Sequence, residues 1–380
     1  MKPANLHLLW RDRAVLSRFR TGVSLHSHTL YSEESMAFVP RYTGAVPFVG
    51  HAIRQQERRY FERTGRPLDF SRAFWRPPLA PSEALELEKR QIEDTLDLDA
   101  LVSLSDHDDI QAPVLLSLVD PKIPVSVEWT VPSGATFFHL GIHNIPARRA
   151  AAVMSELAAV TFDPRPGRIR EMLAALNAFP ETLVIWNHPC WDEARIGAAR
   201  HADHLENFLL QFGPLIHALE LNGLRPWSEN RQVIRAAARS GHPLISGGDR
   251  HGLEPNANLN LTNAATFDEF VQEIRHDRHS DVLFMPQYRE PLRARMIETM
   301  WDIVRDYPEF PADRRRWSDR VFYRQDDGVT RPLSAIWTCH EPWPVKVFLG
   351  GLRATKSPQV RSALRLALGF GLDGGQEIAS

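Results

Sequence analysis

A chain of 380 residues, 43% hydrophobic and 24% charged, has the composition of a globular protein able to bury a large core, as one α/β barrel or as two to three smaller domains. Its formal net charge of -2 argues against a dedicated nucleic-acid surface, because neutralising phosphates takes a concentrated basic excess. Two cysteines, Cys190 and Cys339, cannot build a disulfide framework, and no window approaches the ~20 apolar residues of a membrane span or the pattern of a signal peptide, so a cytoplasmic protein is expected.

Short apolar runs that end on histidine or a carboxylate recur along the chain. Residues 23–25 run into His26-Ser27-His28, and 101–104 into Asp106-His107-Asp108-Asp109. Residues 123–127 end at Glu128, and 137–142 at His143. Residues 183–186 end at Asn187-His188-Pro189, 216–221 carry Glu220, and 244–246 end at Gly247-Gly248-Asp249-Arg250-His251. Runs of this length, bounded by turn signals, predict buried parallel strands. Helical patterns are predicted at 82–94, 147–159, 167–178, 201–212 and 228–240, the last stopped by Gly241. The alternation predicts an α/β protein with its polar residues at the C-terminal strand ends, where such folds build their sites. Two stretches break the rhythm. Residues 37–80 are aromatic, basic and proline-punctuated and read as an inserted excursion; residues after about 281 carry no ligand-like cluster and read as a C-terminal extension.

On a strand, residues i and i+2 point to the same side, so the imidazoles of His26 and His28 can share one metal. Burying the Asp106–Asp109 run without a cation would cost several kcal/mol per unpaired ion. Helix N-capping accounts for Asp108 or Asp109, but not for His107. Asp249 and His251 repeat the i, i+2 spacing, and Gly247 and Gly248 would let the backbone approach a bound group. Glu128 and His188 each have a structural explanation when taken alone. Five strand ends bearing His, Asp or Glu together point to a multinuclear site, and mixed imidazole and carboxylate ligation suits Zn²⁺, Mn²⁺ or Fe²⁺.

The ordered series HSH, SDHDD, VEW, FHLGIH, NHP and SGGDRH, over about residues 21–252, resembles the motif series of the PHP (polymerase and histidinol phosphatase) family. The resemblance implies a distorted (β/α)7 TIM-like barrel over 1–280, with 37–80 crossing its mouth and 281–380 packed on it. It implies two or three divalent metal ions. His26, His28, Glu128 and Asp249 would hold the first; Glu128 would bridge to a second on His188 and His143. A third would sit on His107, His251 and Glu34, a place where trinuclear members often carry histidine. His139 shares a strand face with His143, which lies nearer the strand's C-terminal end and is the expected ligand; His139 is expected to support it or to fill the core.

The implied activity is phosphoester hydrolysis, in which a hydroxide bridging two metals attacks phosphorus in line. Glu128 would act at the reacting centre and a guanidinium would bind the phosphoryl oxygens, Arg250 being nearest in sequence and Arg41 and Arg225 the other candidates. A small phosphorylated molecule is the expected partner. The alternatives are an amidohydrolase-type enzyme acting on C–N or C–O bonds and a non-catalytic PHP-like module.

Overall fold

The computed structural model describes residues 4–39, 47–336, 343–355, 357, 359–360 and 363, so Arg41 lies outside the described residues. Two compact units share the chain. One combines residues up to Ser32 with Leu79–Leu292, and the other combines Glu33–Pro78 with Arg293–Phe370. In chain order the strands are β1 (Asn5–Leu8), β2 (Thr21–Leu25), β3 (Glu34–Ser35), β4 (Ala73–Trp75), β5 (Asp99–Ser103), β6 (Val125–Ser133), β7 (Thr136–Ile145), β8 (Leu183–Asn187), β9 (Ala218–Asn222), β10 (Leu244–Gly247), β11 (Asn258–Thr262), β12 (Asp281–Phe284), β13 (Val321–Arg324) and β14 (Thr330–Pro332).

In the first unit the strands form two five-stranded sheets, ordered β1-β12-β11-β2-β5 and β10-β9-β8-β7-β6, so the expected closed (β/α)7 barrel is not found. Such a barrel needs each strand parallel to the last, with a crossover helix between them. Here β7 turns straight back on β6 through Gly134 (φ 64) and runs antiparallel to both β6 and β8. β11 is likewise antiparallel to β2 and β12. Residues 281–284, expected to open the C-terminal extension, form β12, which pairs with β1 and β11 inside the first unit. Isolated backbone bridges join Ser27 with Arg250, Asp106 with Asp109, and His107 with Glu128 on β6.

The helices Pro81–Arg90, Ala150–Phe162, Pro166–Asn177, Ala198–Phe212 and Trp227–Ser240 lie within a few residues of the predicted patterns. Each owes its place to a buried stripe. In the second of them Ala150, Val153, Leu157 and Val160 recur at helical spacing and join a core that includes Trp129, Trp186 and Phe208. Gly241, at φ 73, adopts the left-handed conformation that ends the last of them.

Strand alternation divides the apolar residues between two cores. Val184, Trp186, Leu219 and Leu221 face the helix-packed core, whereas Leu183, Ile185, Ala218 and Ile245 pack with Val23 and Leu25. Continued two residues at a time, the second face passes from Ile185 to Asn187 and from Ala218 to Glu220 and Asn222, all buried. A face that is apolar at one end becomes polar at the other, and there the histidines gather.

The second unit is built on a four-stranded sheet ordered β14-β13-β4-β3, with the helix Pro47–Thr64 in its first segment and Leu292–Val304 opening its second.

Candidate metal centre

Glu128 sits on β6, fully buried, and its two carboxylate oxygens face different sets of side chains. Oε2 lies 3.0 Å from His26 Nε2, 3.4 Å from His28 Nε2 and 3.2 Å from His107 Nδ1. Oε1 lies 3.2 Å from His188 Nε2 and 3.5 Å from His139 Nδ1, and accepts a hydrogen bond from Asn187 Nδ2 at 2.9 Å. Asp249 closes the first set, with Oδ1 3.4 Å from His28 Nε2 and 3.6 Å from His26 Nε2. Ligand-type atoms within 4.8 Å of one another occur in the groups His26, Glu128 and His188; His26, His28 and Asp249; and His107, Glu128 and His139. His28, His107 and His251 approach one another in the same way.

The backbone at the centre is unusual. His26 (φ 62), His188 (φ 28) and Asp249 (φ 57) all hold left-handed conformations that non-glycine residues seldom adopt, each costing about 1–3 kcal/mol that the surroundings must supply. A backbone ladder supplies part of it: Asp249 N donates to the His26 carbonyl at 2.7 Å, Gly248 N to Leu25 at 3.0 Å, and His28 N to Arg250 at 2.9 Å. The glycines serve packing here rather than a bound group. A Cβ on Gly247 would lie 1.6 Å from Glu220 Oε1, and one on Gly248 would lie 1.6 Å from Asn256 Oδ1.

Glu220, not singled out as a site residue from sequence, orients the first histidine. Its Oε1 accepts from His26 Nδ1 at 2.6 Å, while Oε2 accepts from His188 N at 2.7 Å and Asn222 Nδ2 at 2.9 Å. A neutral His26 held this way has its lone pair on Nε2, the nitrogen that faces Glu128 and Asp249. His251 Nδ1 donates to the Asp249 carbonyl at 2.8 Å, which puts its lone pair on Nε2 as well.

Burial alone would push the Glu128 carboxyl up, but the charges on His26, His107 and His139 and the hydrogen bond from His188 hold it well below the ordinary carboxylate range. Asp249 is held low against burial by His26, His28 and His251. His26 shows the converse: burial opposes its protonation, yet Glu128, Glu220 and Asp249 raise it well above the usual imidazole value. The buried atoms His26 Nε2 and Glu128 Oε2 have no hydrogen-bond partner, although they face each other. Convergent lone pairs around excess buried negative charge fit divalent cations.

Two expected site residues, His143 and Arg250, are placed differently. His143 lies outside the groups around Glu128: its Nδ1 bonds Ser103 Oγ at 2.7 Å, and burial pushes its imidazole down to about 3. Because β7 runs antiparallel to its neighbours, the half that reaches the polar rim is the N-terminal one, where His139 pairs with Asn187. Arg250 is turned inward, with Nε donating to Glu88 Oε1 at 2.8 Å, Nη1 to the Gly252 carbonyl and Nη2 to the His28 carbonyl. Glu34 belongs to the second unit, where it is buried on β3 and registers with Trp75 on β4. Within the acidic run only His107 joins the centre. Asp106 accepts from Thr29 N and Oγ1, Asp108 from Thr130 N, and Asp109 from Gln111 N at the start of the helix Gln111–Ser117.

The first unit thus carries a buried histidine–carboxylate centre of the class that binds divalent metals. No protein-family model matches the chain, and no curated protein does. Among solved structures, a protein from Bifidobacterium adolescentis named as a candidate metal-dependent phosphoesterase superposes with a TM-score of 0.32 and 14% identity, over 53% of this chain and 92% of its own. At that score the likeness carries no argument.

Proposed function

We propose that the centre holds two or more divalent transition-metal ions and hydrolyses phosphoesters, with Glu128 as the shared ligand. The observation that carries this reading is the division of Glu128: one oxygen faces His26, His28 and His107, the other His139 and His188. A carboxylate so divided suits two neighbouring cations, and the imidazole-rich set favours Zn²⁺, Mn²⁺ or Fe²⁺ over Ca²⁺ or Mg²⁺. The ordered HSH to SGGDRH motif series, similar to that of PHP phosphoesterases, supports phosphorus as the reacting atom. Bound cations would supply an ionised water near neutral pH and offset phosphoryl charge. The protein's part is to hold its donors ready: Glu220 fixes the His26 tautomer, the left-handed turns aim His188 and Asp249 inward, and the buried Glu128 supplies charge that water cannot screen.

The test combines metal analysis with a substrate panel. Protein repleted with Mn²⁺ or Zn²⁺ is expected to retain about two or more equivalents and to cleave an aryl phosphate, activity that chelation abolishes. Glu128→Gln keeps the side chain's size but removes its charge, and is expected to lose metal and about 100-fold in turnover. Retention of under about half an equivalent, or turnover of amides or lactones with none of phosphoesters, would overturn the reading.

A further inference from the structure

Next to the centre, the loop after β9 presents the guanidinium of Arg225, which forms only a loose ion pair with Glu229. Arg225 is only 14% exposed in its side chain, yet its Nε is buried without a hydrogen-bond partner, and its guanidinium donates no hydrogen bond among the described residues. The nearest carboxylate, Glu229 Oε1, is 3.8 Å from Nε, beyond hydrogen-bond reach, and that oxygen is itself unsatisfied. A buried Nε–H left without a hydrogen-bond acceptor is costly, so something must hold it in place.

Trp191 provides the hold. The Arg225 guanidinium carbon lies 4.2 Å from the centroid of the Trp191 ring, which meets His188 of the centre edge-on at 5.1 Å. The main chain that carries the indole is tied to the centre by a hydrogen bond from the Trp191 backbone N to the His188 carbonyl at 2.9 Å. Burial raises the Glu229 carboxyl, Arg225 and His188 lower it, and Asp249 and Glu220 raise it further, which places the Arg225–Glu229 pair within electrostatic reach of the centre. By contrast, Arg250 has its donors engaged by Glu88 and by two carbonyls.

We infer that Arg225, braced on Trp191, is the substrate-binding arm of the centre and takes the phosphoryl oxygens of the ester bound there. This rests on the phosphoesterase reading above. A planar guanidinium stacked on an indole keeps its fork open and oriented, and can meet two phosphoryl oxygens at once. Arg225 thereby fixes the orientation of the phosphorus, and Trp191 acts only through Arg225.

The experiment measures inorganic phosphate binding to the metal-loaded full-length protein by calorimetry, alongside metal content and aryl phosphate kinetics. Arg225→Gln is expected to keep its metal and melting temperature and to bind phosphate about 10- to 100-fold more weakly, the worth of one or two charge-assisted hydrogen bonds. Arg225→Lys keeps the charge without the fork and is expected to fall between the two. Trp191→Leu, which frees the guanidinium, is expected to raise KM for the aryl phosphate with little change in metal content. Phosphate affinity in Arg225→Gln within twofold of the unaltered protein would overturn the inference. Should that variant not fold, unchanged affinity in Arg225→Lys would do the same. Failure of the hydrolytic reading registers separately, as unaltered protein that turns over no phosphoester, while phosphate affinity still reports on Arg225.

Discussion

His139 and His143 are four residues apart on one strand and one face, and their surroundings differ. His139 Nδ1 looks toward Glu128 at 3.5 Å and Glu193 at 3.8 Å, whereas His143 is bonded to Ser103, which donates in turn to Ser126. His139→Ala is therefore expected to lower metal stoichiometry with little loss of stability in the metal-free protein. His143→Ala removes a buried, hydrogen-bonded ring and is expected to cost about 2–4 kcal/mol of stability while the metal count holds. Metal analysis and urea unfolding of both variants decide it, and the reverse pattern would return His143 to the centre. Sequence could not separate the two rings, because both satisfy the same strand period and only strand direction picks the one at the rim. The HSH and DRH pairs were legible because each directly follows an apolar strand, although His26 and Asp249 adopt left-handed turns there rather than the strand conformation that the i, i+2 spacing assumed. Arg250 misled by adjacency. At i+1 from Asp249 its side chain leaves toward Glu88, away from the ligands. Glu220 was visible as a carboxylate in an otherwise apolar run, but a partner 194 residues away in sequence, His26, decides its role.

At the scale of strands and helices, the apolar runs and helical stripes fall close to where periodicity puts them, because burial on one face is a local property of sequence. Strand direction is not local. Nothing in VPSGATF distinguishes a tight hairpin from a short loop into another parallel strand, except Gly134 at a position that adopts φ 64. One buried element makes a pH prediction. His217 precedes β9; its Nδ1 accepts from Val184 N at 2.8 Å, and Nε2 donates to Asn177 Oδ1 at 2.9 Å. Protonation would set two N–H groups against each other, and burial, with Arg275 and His276 nearby, pushes the imidazole down to about 3. The unfolded chain then takes up a proton near the ordinary value of about 6.5 that the folded chain refuses. Its stability contribution is intact above pH 6.5 and is lost as pH falls toward 3. Between pH 6.5 and 5 the unaltered protein is expected to lose about 2 kcal/mol more than His217→Gln does. Urea unfolding at the two pH values measures this, and parallel slopes would refute it.

For the molecule as a whole, the chain divides differently from its reading as a barrel with one excursion and one tail. Residues 33–78 and 293–370 belong to a single unit, and the sheet that binds them pairs β4 from the first segment with β13 from the second. Sequence gave no hint of this pairing, since the strands are three and four residues long and almost 250 residues apart. Phe74 on β4 is buried and stacks on Phe322 of β13 at 5.2 Å, with the planes 15° apart. Arg76 lies 4.9 Å from the centroid of the Phe322 ring, and Arg324 lies 5.0 Å from that of Phe74. This interleaving of two rings and two guanidinium groups is one link between the segments, beside ion pairs such as Arg66–Asp326, and it should be cooperative. Phe74→Leu and Phe322→Leu are each expected to destabilise the second unit by about 1–2 kcal/mol, and the double variant by less than the sum, with a coupling of about 0.5–1.5 kcal/mol for the stacked pair. Amide exchange is the direct readout. In Phe322→Leu, protection of the Arg76 amide, which donates to the Arg320 carbonyl at 2.9 Å, should fall even though the substitution lies in the other segment, because the antiparallel ladder that holds β4 loses its packing. Protection that changes only around residues 321–324 would mean that the two segments are stabilised independently and that the shared sheet contributes little to holding them together.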